Sequence, residues 1–271
     1  MGITVRPLSP ALGAEISGFD LRNIDTTTAK EILDAWHQYL VLLVRGQSIS
    51  DDDHINFTKI FGEIDPAKFT GPEGRPEIML ISNIREDGKP IGALPDGEME
   101  FHIDRLHQKV PSAGAVLHAI EVPAEGGNTL YLNMYLAYET LPAETKKRIE
   151  GLEAVSFYDY SATKRVDSQV SPDTPSAVHP VVRIHPVTKR KSLFVCGLMT
   201  DHIVGLPKEE SRKILSELYK HSEQSGFVYE HKWKVGDIII WDNRCTMHAR
   251  TDFDFSARRL IKRIAIKGTP V

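Results

Sequence analysis

The first part of the chain contains one helical and one strand-like hydrophobic pattern in direct succession. Residues 29–39 have helical spacing, and the preceding Thr26-Thr27-Thr28 predicts a cap at the start of that helix. The short apolar run Val41-Leu42-Leu43-Val44 follows and favours a buried strand. A second helix is predicted to begin at Ser50, because the aspartates that follow it suit the first turn of a helix.

Beyond residue 110 the pattern changes to short apolar runs separated by Gly, Pro and Asn. Strands are predicted over residues 113–120, 129–132, 154–158, 178–184, 192–196, 227–230, 237–241 and 260–267. Helices are predicted over residues 134–141, 142–151 and 207–225. Many short strands with a few helices are typical of a sandwich or barrel, so we expect a mainly β core with helices packed outside.

Two irregular segments flank the predicted strands. Residues 65–99 are rich in Gly and Pro and lead directly into His102. A long loop of this kind is usually functional, so we interpret it as a lid. The polar residues 158–177 predict a second lid. The chain has no internal repeat or linker, and we expect one domain over residues 1–271.

Charge and composition exclude some classes of partner. The chain has 33 basic and 37 acidic residues, a net charge of -4, which provides no overall field for nucleic acid or an anionic membrane. No apolar run approaches the roughly 20 residues of a membrane helix. Two cysteines without a secretion signal favour a reducing compartment, so we expect a cytoplasmic protein that binds neither nucleic acid nor membrane.

Three residues are candidate metal ligands. His102 and Asp104 stand two apart, and in an extended strand both side chains point to the same side. His248 follows the predicted strand 237–241 and supplies a third ligand from a loop. Two imidazoles and one carboxylate hold Fe(II) on one face and leave positions open for O₂ chemistry. A single His-x-Asp match arises by chance in such a chain, so the surrounding segments must support it.

Two arginines near the C-terminus are candidate anion anchors. Arg259 and Arg263 stand four residues apart in an apolar run and share a face of the predicted strand. Buried guanidiniums need anions opposite them, and arginine binds carboxylates in a bidentate fork. A surface strand with solvated arginines is the alternative on composition alone.

Five segments of the chain together resemble the TauD/TfdA family of Fe(II)/2-oxoglutarate dioxygenases, and the resemblance runs from about residue 2 to the C-terminus. They are Phe101-His102-Ile103-Asp104, Glu125-Gly126-Gly127-Asn128-Thr129-Leu130, His179-Pro180-Val181-Val182-Arg183-Ile184-His185-Pro186, Trp241-Asp242-Asn243-Arg244 through His248, and Arg258-Arg259. In order and at matching spacing, they are far more specific than one His-x-Asp.

The resemblance implies a double-stranded β-helix, or cupin-like jelly roll, in which His102, Asp104 and His248 hold iron. It implies Fe(II), 2-oxoglutarate and O₂ as cofactor and cosubstrates, with succinate and CO₂ as products and a hydroxylated substrate. Asp104 favours hydroxylation, since related halogenases leave that ligand position empty. A hydroxyl placed beside a heteroatom would lead to C–S, C–O or C–N cleavage.

The same resemblance implies roles around the metal. Arg259 would bind the far carboxylate of 2-oxoglutarate, Thr129 would hydrogen-bond that carboxylate, and Trp241 would pack near it. Arg263 matches a family position that meets an anionic group of the substrate. The implied partner is therefore a small, anionic organic molecule, and the family commonly forms homodimers or homotetramers.

Departures from the family pattern concern the substrate. Phe101 stands where many members have Trp, and Arg105-Leu106-His107-Gln108 replaces small, hydroxylic and aromatic residues. Asp65-Pro66-Ala67 lacks the histidine that the taurine enzyme uses, and Glu98 replaces an asparagine. Taurine is therefore not the expected substrate, and we assign His107 and Glu98 to the substrate pocket.

Two other functions stay open on the residues alone. The same two histidines and aspartate suit a zinc or manganese hydrolase or isomerase, since ligand type does not by itself dictate the metal. A non-catalytic β-sandwich binding protein is the other alternative. The spacing of Arg259 from His248 argues against the first.

Overall fold

The computed structural model describes residues 2–67, 71–72, 74–94, 96–158, 163–164 and 174–271. Within these ranges the helices are α1 (Thr26–Tyr39), α2 (Asp51–Lys59), α3 (Met134–Glu139), α4 (Ala143–Ile149) and α5 (Lys208–Ser222), with a 3-10 turn at Ser225–Phe227. The strands are β1 (Thr4–Pro7), β2 (Ala14–Ser17), β3 (Val41–Val44), β4 (Ile64–Asp65), β5 (Ile78–Ser82), β6 (Arg85–Glu86), β7 (Lys89–Pro90), β8 (Met99–His102), β9 (Gly114–Glu121), β10 (Thr129–Asn133), β11 (Glu153–Phe157), β12 (Ser176–Pro180), β13 (Val182–Ile184), β14 (Lys191–Leu193), β15 (Thr200–Ile203), β16 (Val228–His231), β17 (Ile238–Asp242), β18 (Thr246–Arg250) and β19 (Leu260–Ile266).

Two sheets form the centre of the described chain. The larger has the order β1-β2-β3-β17-β9-β19-β4, and β5 also pairs with β19. The smaller has the order β16-β10-β18-β8. Strand β2 runs parallel to β3, and the other pairs in both sheets are antiparallel. Neighbours in both sheets come from distant parts of the sequence, so the two halves of the chain are interleaved.

The two sheets share one hydrophobic core. Ile239 and Ile261 of the larger sheet belong to the same buried cluster as Tyr131 of the smaller sheet. The opposite face of the larger sheet packs on α1 and α2 through residues that include Trp36. The opposite face of the smaller sheet packs with α5, where Leu218 is fully buried. The prediction of a mainly β core with flanking helices is therefore confirmed.

Some element boundaries differ from the sequence prediction. The cap of α1 is Asp25, whose Oδ1 accepts from the Thr28 backbone N–H at 2.7 Å, and the threonines form the first turn. The strand predicted over residues 178–184 is divided into β12 and β13 at Pro180, which has no backbone N–H to continue a ladder. Because Asp is a stronger N-cap than Thr, helix α1 begins at Thr26, before the predicted start at residue 29.

The two predicted lids differ in how much of each is described. Residues 65–99 contain β5 and the small hairpin β6–β7, with 68–70, 73 and 95 outside the described residues. Most of the second predicted lid, at 159–162 and 165–173, also lies outside them. Both lids stay predictions. Across the described helices, none combines the length and apolar character that a membrane span requires.

The buried imidazole of His54 on α2 predicts acid sensitivity of the fold. Its Nε2 lies 3.3 Å from the Val116 carbonyl oxygen, and burial, followed by the neighbouring His118, lowers its pKa to about 3. An unfolded histidine takes up a proton near pH 6.5. Since the unfolded state then binds a proton that the folded state does not, the free energy of unfolding decreases as pH falls from about 6.5 towards 3.

We expect His54 to account for about 2 kcal/mol of the stability lost between pH 7 and pH 5. Urea unfolding of the wild type and of His54→Gln at both pH values measures this difference. The variant should be less stable at pH 7 but show a smaller loss on acidification. An unchanged pH dependence in the variant would contradict the assignment.

Candidate functional site

The pairing of two strands brings the predicted metal ligands together. His102 at the end of β8 is the Cα partner of His248 on β18, and their ring centroids are 4.1 Å apart. Each Nε2 lies 3.9 Å from Asp104 Oδ1. One ligand atom from each residue lies within 4.8 Å of the others. The three side chains therefore converge on a single point.

The protonation states of the histidines suit metal binding. His102 Nδ1 lies 2.9 Å from the Glu100 carbonyl oxygen, so Nδ1 donates and the Nε2 lone pair faces the cluster. Burial lowers the pKa of both imidazoles, that of His248 to about 3, which keeps them neutral. Two neutral imidazoles and a carboxylate are the donor set of non-haem Fe(II) sites, so these residues fit that ion.

Asp104 is held as an anion. Burial by itself would raise the pKa of its carboxyl, but the positive charge and the hydrogen bond of Arg263 lower the pKa below its ordinary value. Arg263 Nη2 donates to Oδ2 at 2.6 Å. One carboxylate oxygen therefore faces the imidazoles, while the other is bound by a guanidinium.

The backbone around Asp104 is fixed by a side chain that the sequence analysis left without a role. Asn243 Oδ1 accepts from the Asp104 N–H at 2.9 Å, and its Nδ2 donates to the Asp104 carbonyl oxygen at 3.0 Å. The same Nδ2 donates to the Ser112 carbonyl oxygen at 2.9 Å. The Asn243 side chain thus makes the two backbone hydrogen bonds to Asp104 that a neighbouring strand would otherwise make.

One of two backbone expectations for the ligands was wrong. A strand or its end was expected to supply His102 and Asp104, and β8 ends at His102 with Asp104 in the turn that follows, where Arg105 has φ 58°. His248 was expected in a loop, but it lies within β18, which pairs with β8 and β10. The positions of Asp104 and His248 depend on contacts between segments that are far apart in the chain. The spacing of neighbouring residues does not reveal such contacts.

Arg259 lies immediately before β19 and is 3% exposed. Its Nε and Nη1 have no hydrogen-bond partner among the described residues. Burial, followed by the nearby Arg250, lowers its pKa to about 9, so the guanidinium stays charged at neutral pH. A buried cation with unpaired N–H groups is costly unless an anion binds it. Arg259 therefore fits the carboxylate of a diacid.

Thr129 and Trp241 lie on facing strands of the two sheets. Thr129 Oγ1 accepts from Trp233 Nε1 at 3.0 Å, which leaves the hydroxyl hydrogen available to donate. The Trp241 ring is 4.8 Å from that of His248. Tyr131 lies on the same face of β10 as Thr129. Its ring centroid is 5.9 Å from that of Trp241.

The three residues predicted to contact the substrate, Arg263, His107 and Glu98, differ in their burial and in their contacts. Arg263 contacts Asp104 directly. His107 is 3% exposed, with its ring centroid 5.7 Å from that of Tyr158. Glu98 is exposed and pairs with Lys164 at 2.5 Å. The structure brings Arg263 to the metal ligands, while the roles of His107 and Glu98 as substrate contacts stay predictions.

A second buried group of possible ligands, Asp242 with His185 and Cys245, is structural. Asp242 Oδ2 accepts from His185 Nε2 at 3.0 Å, and Arg244 Nε donates to Oδ1 at 2.8 Å. His185 Nδ1 accepts from two backbone N–H groups of the following turn. With the carboxylate and both ring nitrogens already bound, this network anchors the residue before Asn243. In the sequence, the only indication of this network was that its residues lie in two of the five segments that resemble the family.

We expect Asn243→Ala to weaken metal binding about 10- to 100-fold, because the orientation of a ligand depends on the groups that hold it. Calorimetric titration of the metal-free protein with Mn(II) measures the change. Asn56→Ala, which alters an exposed amide on α2, is the matched control and should bind as the wild type does. Wild-type Mn(II) affinity in Asn243→Ala would show that the Asn243 side chain does not position the metal ligand Asp104.

The model of the family described as "Taurine catabolism dioxygenase TauD, TfdA family" matches residues 4–265. The chain is 34% identical to the alpha-ketoglutarate-dependent 2,4-dichlorophenoxyacetate dioxygenase of Cupriavidus pinatubonensis, with 97% of each chain covered. It is 32% identical to the (S)-phenoxypropionate/alpha-ketoglutarate-dioxygenase of Sphingobium herbicidovorans, with 98% of this chain and 95% of the relative covered.

Among solved structures, that of AAD-2 in complex with Mn(II) and N-oxalylglycine superimposes with a TM-score of 0.83 at 31% identity. The superposition covers 100% of this chain and 99% of that one. A structure at this identity and coverage shares the fold, so the two-sheet core described above is that of a jelly roll.

Proposed function

The chain belongs to the TauD/TfdA family of 2-oxoglutarate-dependent dioxygenases, and from that premise we propose a role for each site residue and a class of substrate. As a member it is an enzyme that uses Fe(II), 2-oxoglutarate and O₂ to hydroxylate a small organic molecule. The observation that carries the assignment of residues is the convergence of His102, Asp104 and His248 beside Arg263.

These three residues would hold the iron. Bound Fe(II), 2-oxoglutarate and O₂ supply the oxidation, in which the keto acid becomes succinate and CO₂ and a substrate C–H becomes C–OH. The protein keeps both imidazoles neutral and the carboxylate ionised, so the ligands need no proton transfer before binding. Arg263 holds the second oxygen of Asp104 and so limits rotation of that carboxylate.

Arg259 and Thr129 would bind the distal carboxylate of 2-oxoglutarate. Arg259 is a buried cation whose Nε and Nη1 have no hydrogen-bond partner among the described residues, and a guanidinium binds a carboxylate through charge-assisted hydrogen bonds. The Thr129 hydroxyl, which already accepts from Trp233, has its hydrogen left to donate. Trp241, packed on His248, would close the apolar side of this pocket and exclude water.

We propose that the substrate is a small organic acid with an ether oxygen beside the oxidised carbon, as in aryloxyalkanoic acids. The two curated relatives described above are named for phenoxy acids. Arg263 would bind the acid group from beside the metal ligands, since a guanidinium has five N–H donors and can bind Asp104 and a second anion at the same time. Hydroxylation beside the ether oxygen gives a hemiacetal, which breaks into a phenol and a carbonyl acid.

Other expectations from the sequence belong to the same proposal. We propose that residues 1–271 form one domain and that residues 65–99 and 158–177 cover the pocket as lids. A homo-oligomer and a cytoplasmic location also stay predictions. His107 and Glu98 are retained as candidate substrate contacts near the first metal ligands.

Succinate release measures the proposed reaction. With Fe(II), 2-oxoglutarate and O₂, an aryloxyacetic acid should stimulate succinate formation and yield one phenol per succinate. Sulfonates, sulfate esters and acylated amino acids are tested in parallel. If neutral or cationic compounds alone stimulated turnover, the acid-binding role of Arg263 would be wrong.

The alternative functions give different results in the same assay. A hydrolase or isomerase on this site would turn over with Zn(II) or Mn(II) in the absence of O₂ and 2-oxoglutarate. A binding protein would keep its ligand affinity in His102→Ala. The dioxygenase loses both metal and turnover in that variant, because a carboxylate and one imidazole cannot complete the site.

Two adjacent arginines allow a matched test of the cosubstrate site. Arg259→Gln should raise the KM for 2-oxoglutarate by roughly 100-fold, since a buried charge-assisted pair with a carboxylate is lost. Arg258→Gln is the control, because Arg258 is exposed and pairs with Glu121 at 2.7 Å. Succinate formation over a range of 2-oxoglutarate concentrations measures both. Equal KM values in the two variants would contradict the role of Arg259.

A further inference from the structure

Tyr131 is a buried phenol whose hydroxyl has no hydrogen-bond partner among the described residues. Arg259 is also buried, and its Nε and Nη1 have no partner among the described residues. A buried donor without a partner is destabilising, and such groups are normally satisfied in folded proteins. Trp241 Nε1, whose ring centroid is 5.9 Å from that of Tyr131, also has no partner among the described residues. This group of unsatisfied donors indicates that a ligand with hydrogen-bond acceptors binds in this part of the core.

The position of Tyr131 lies between the metal ligands and the proposed carboxylate anchor. Tyr131 is the Cα partner of His248, and Thr129, two residues earlier on β10, is the partner of Arg250. The Tyr131 ring lies over the His248 ring at 6.3 Å with an interplanar angle of 24°, and it lies 5.9 Å from Trp241. A ligand that extends from the metal to Arg259 would therefore pass along Tyr131.

Electrostatics supports this location. Burial raises the pKa of the Tyr131 hydroxyl well above its ordinary value, and Tyr229 and then the negative charge of Asp104 raise it further. The positive charge of Arg259 acts on the same hydroxyl in the opposite direction. The hydroxyl is thus within electrostatic range of Asp104 and of Arg259.

We infer that the Tyr131 hydroxyl donates a hydrogen bond to a carboxylate oxygen of 2-oxoglutarate, an inference that rests on the proposed cosubstrate site. The chain then contributes three donor side chains to this diacid, from Arg259, Thr129 and Tyr131. Tyr131 is a binding residue, because it orients the cosubstrate and transfers no proton. Its sequence signal was only that it follows Thr129 by two positions on the same strand face.

A second tyrosine on the neighbouring helix provides the contrast. Tyr135 is also fully buried, but its hydroxyl contacts Thr188 Oγ1 at 2.7 Å. The Tyr135 hydroxyl therefore has a partner within the protein, whereas the Tyr131 hydroxyl has none among the described residues. Removing each hydroxyl as Tyr→Phe separates a group that serves the fold from one that serves a ligand.

The test uses the full-length chain loaded with Mn(II) and measures 2-oxoglutarate binding by calorimetry. Tyr131→Phe should weaken 2-oxoglutarate binding roughly tenfold or more, as expected for one hydrogen bond to a charged group. Its Mn(II) affinity should stay within about twofold of the wild type. The melting temperature of its metal-free form should not fall, because no protein hydrogen bond is lost.

Tyr135→Phe should give the opposite result, with a lower melting temperature and unchanged 2-oxoglutarate affinity. In Fe(II)-dependent turnover, Tyr131→Phe should raise the KM for 2-oxoglutarate about tenfold with little change in kcat at saturation. A raised KM with an unchanged kcat indicates a binding role, since a distorted metal site would lower kcat as well.

Two outcomes overturn the inference: wild-type 2-oxoglutarate affinity in Tyr131→Phe, or a loss of affinity accompanied by equal losses of Mn(II) affinity and stability. Failure of the proposed function looks different, because in that case the wild type itself binds Mn(II) but not 2-oxoglutarate. The wild-type titration therefore separates the two.

Discussion

The antiparallel pairing of β8 with β18 is the constraint on which the site depends. It sets His102 opposite His248, and a slip of one residue would turn one imidazole to the other face of the sheet. The register shifts just beyond this pair, between His248 and Arg250. Bulges of this kind are frequent beside active sites, where they end regular pairing and redirect side chains. The third ligand then comes from outside the ladder, and Asn243 fixes its backbone.

Buried charges in this core fall into two groups. Asp104 has Arg263, and Asp242 has Arg244 and His185, so both carboxylates are balanced by contacts within the protein. Arg259 is the contrasting case, because its unpaired N–H groups have no partner in the described chain. Desolvation of an unbalanced cation costs folding free energy that a bound anion recovers. This difference is the reason that Arg259, and not Arg244, is proposed to bind the cosubstrate.

The proposed cosubstrate and substrate sides of the pocket are made from different kinds of structure. On the proposed cosubstrate side, Thr129 and Tyr131 lie on a strand paired with that of His248, where a change of residue disturbs the core. The proposed substrate side includes the turn after Asp104, where Arg105 has a left-handed backbone and pairs with Asp65 of β4. That ion pair joins the first irregular segment to the turn that carries a metal ligand. Turns of this kind tolerate change, so relatives with one metal site can differ in substrate.

Local pattern was enough to identify the mainly β core and the flanking helices, because alternation and helical spacing are properties of neighbouring residues. The candidate metal ligands needed the support of the five matching segments, because a single His-x-Asp match arises by chance. Local pattern also indicated Arg259 and Arg263 as candidate anion anchors, but it placed His248 in a loop and gave no role to Asn243 or Tyr131. Those positions depend on contacts between β8, β10, β18 and the residues after β17, which are far apart in the chain. The sequence by itself determined which chemical groups are present, whereas the tertiary structure decided which atoms meet, because strand register and side-chain contacts are set only when distant segments pack together.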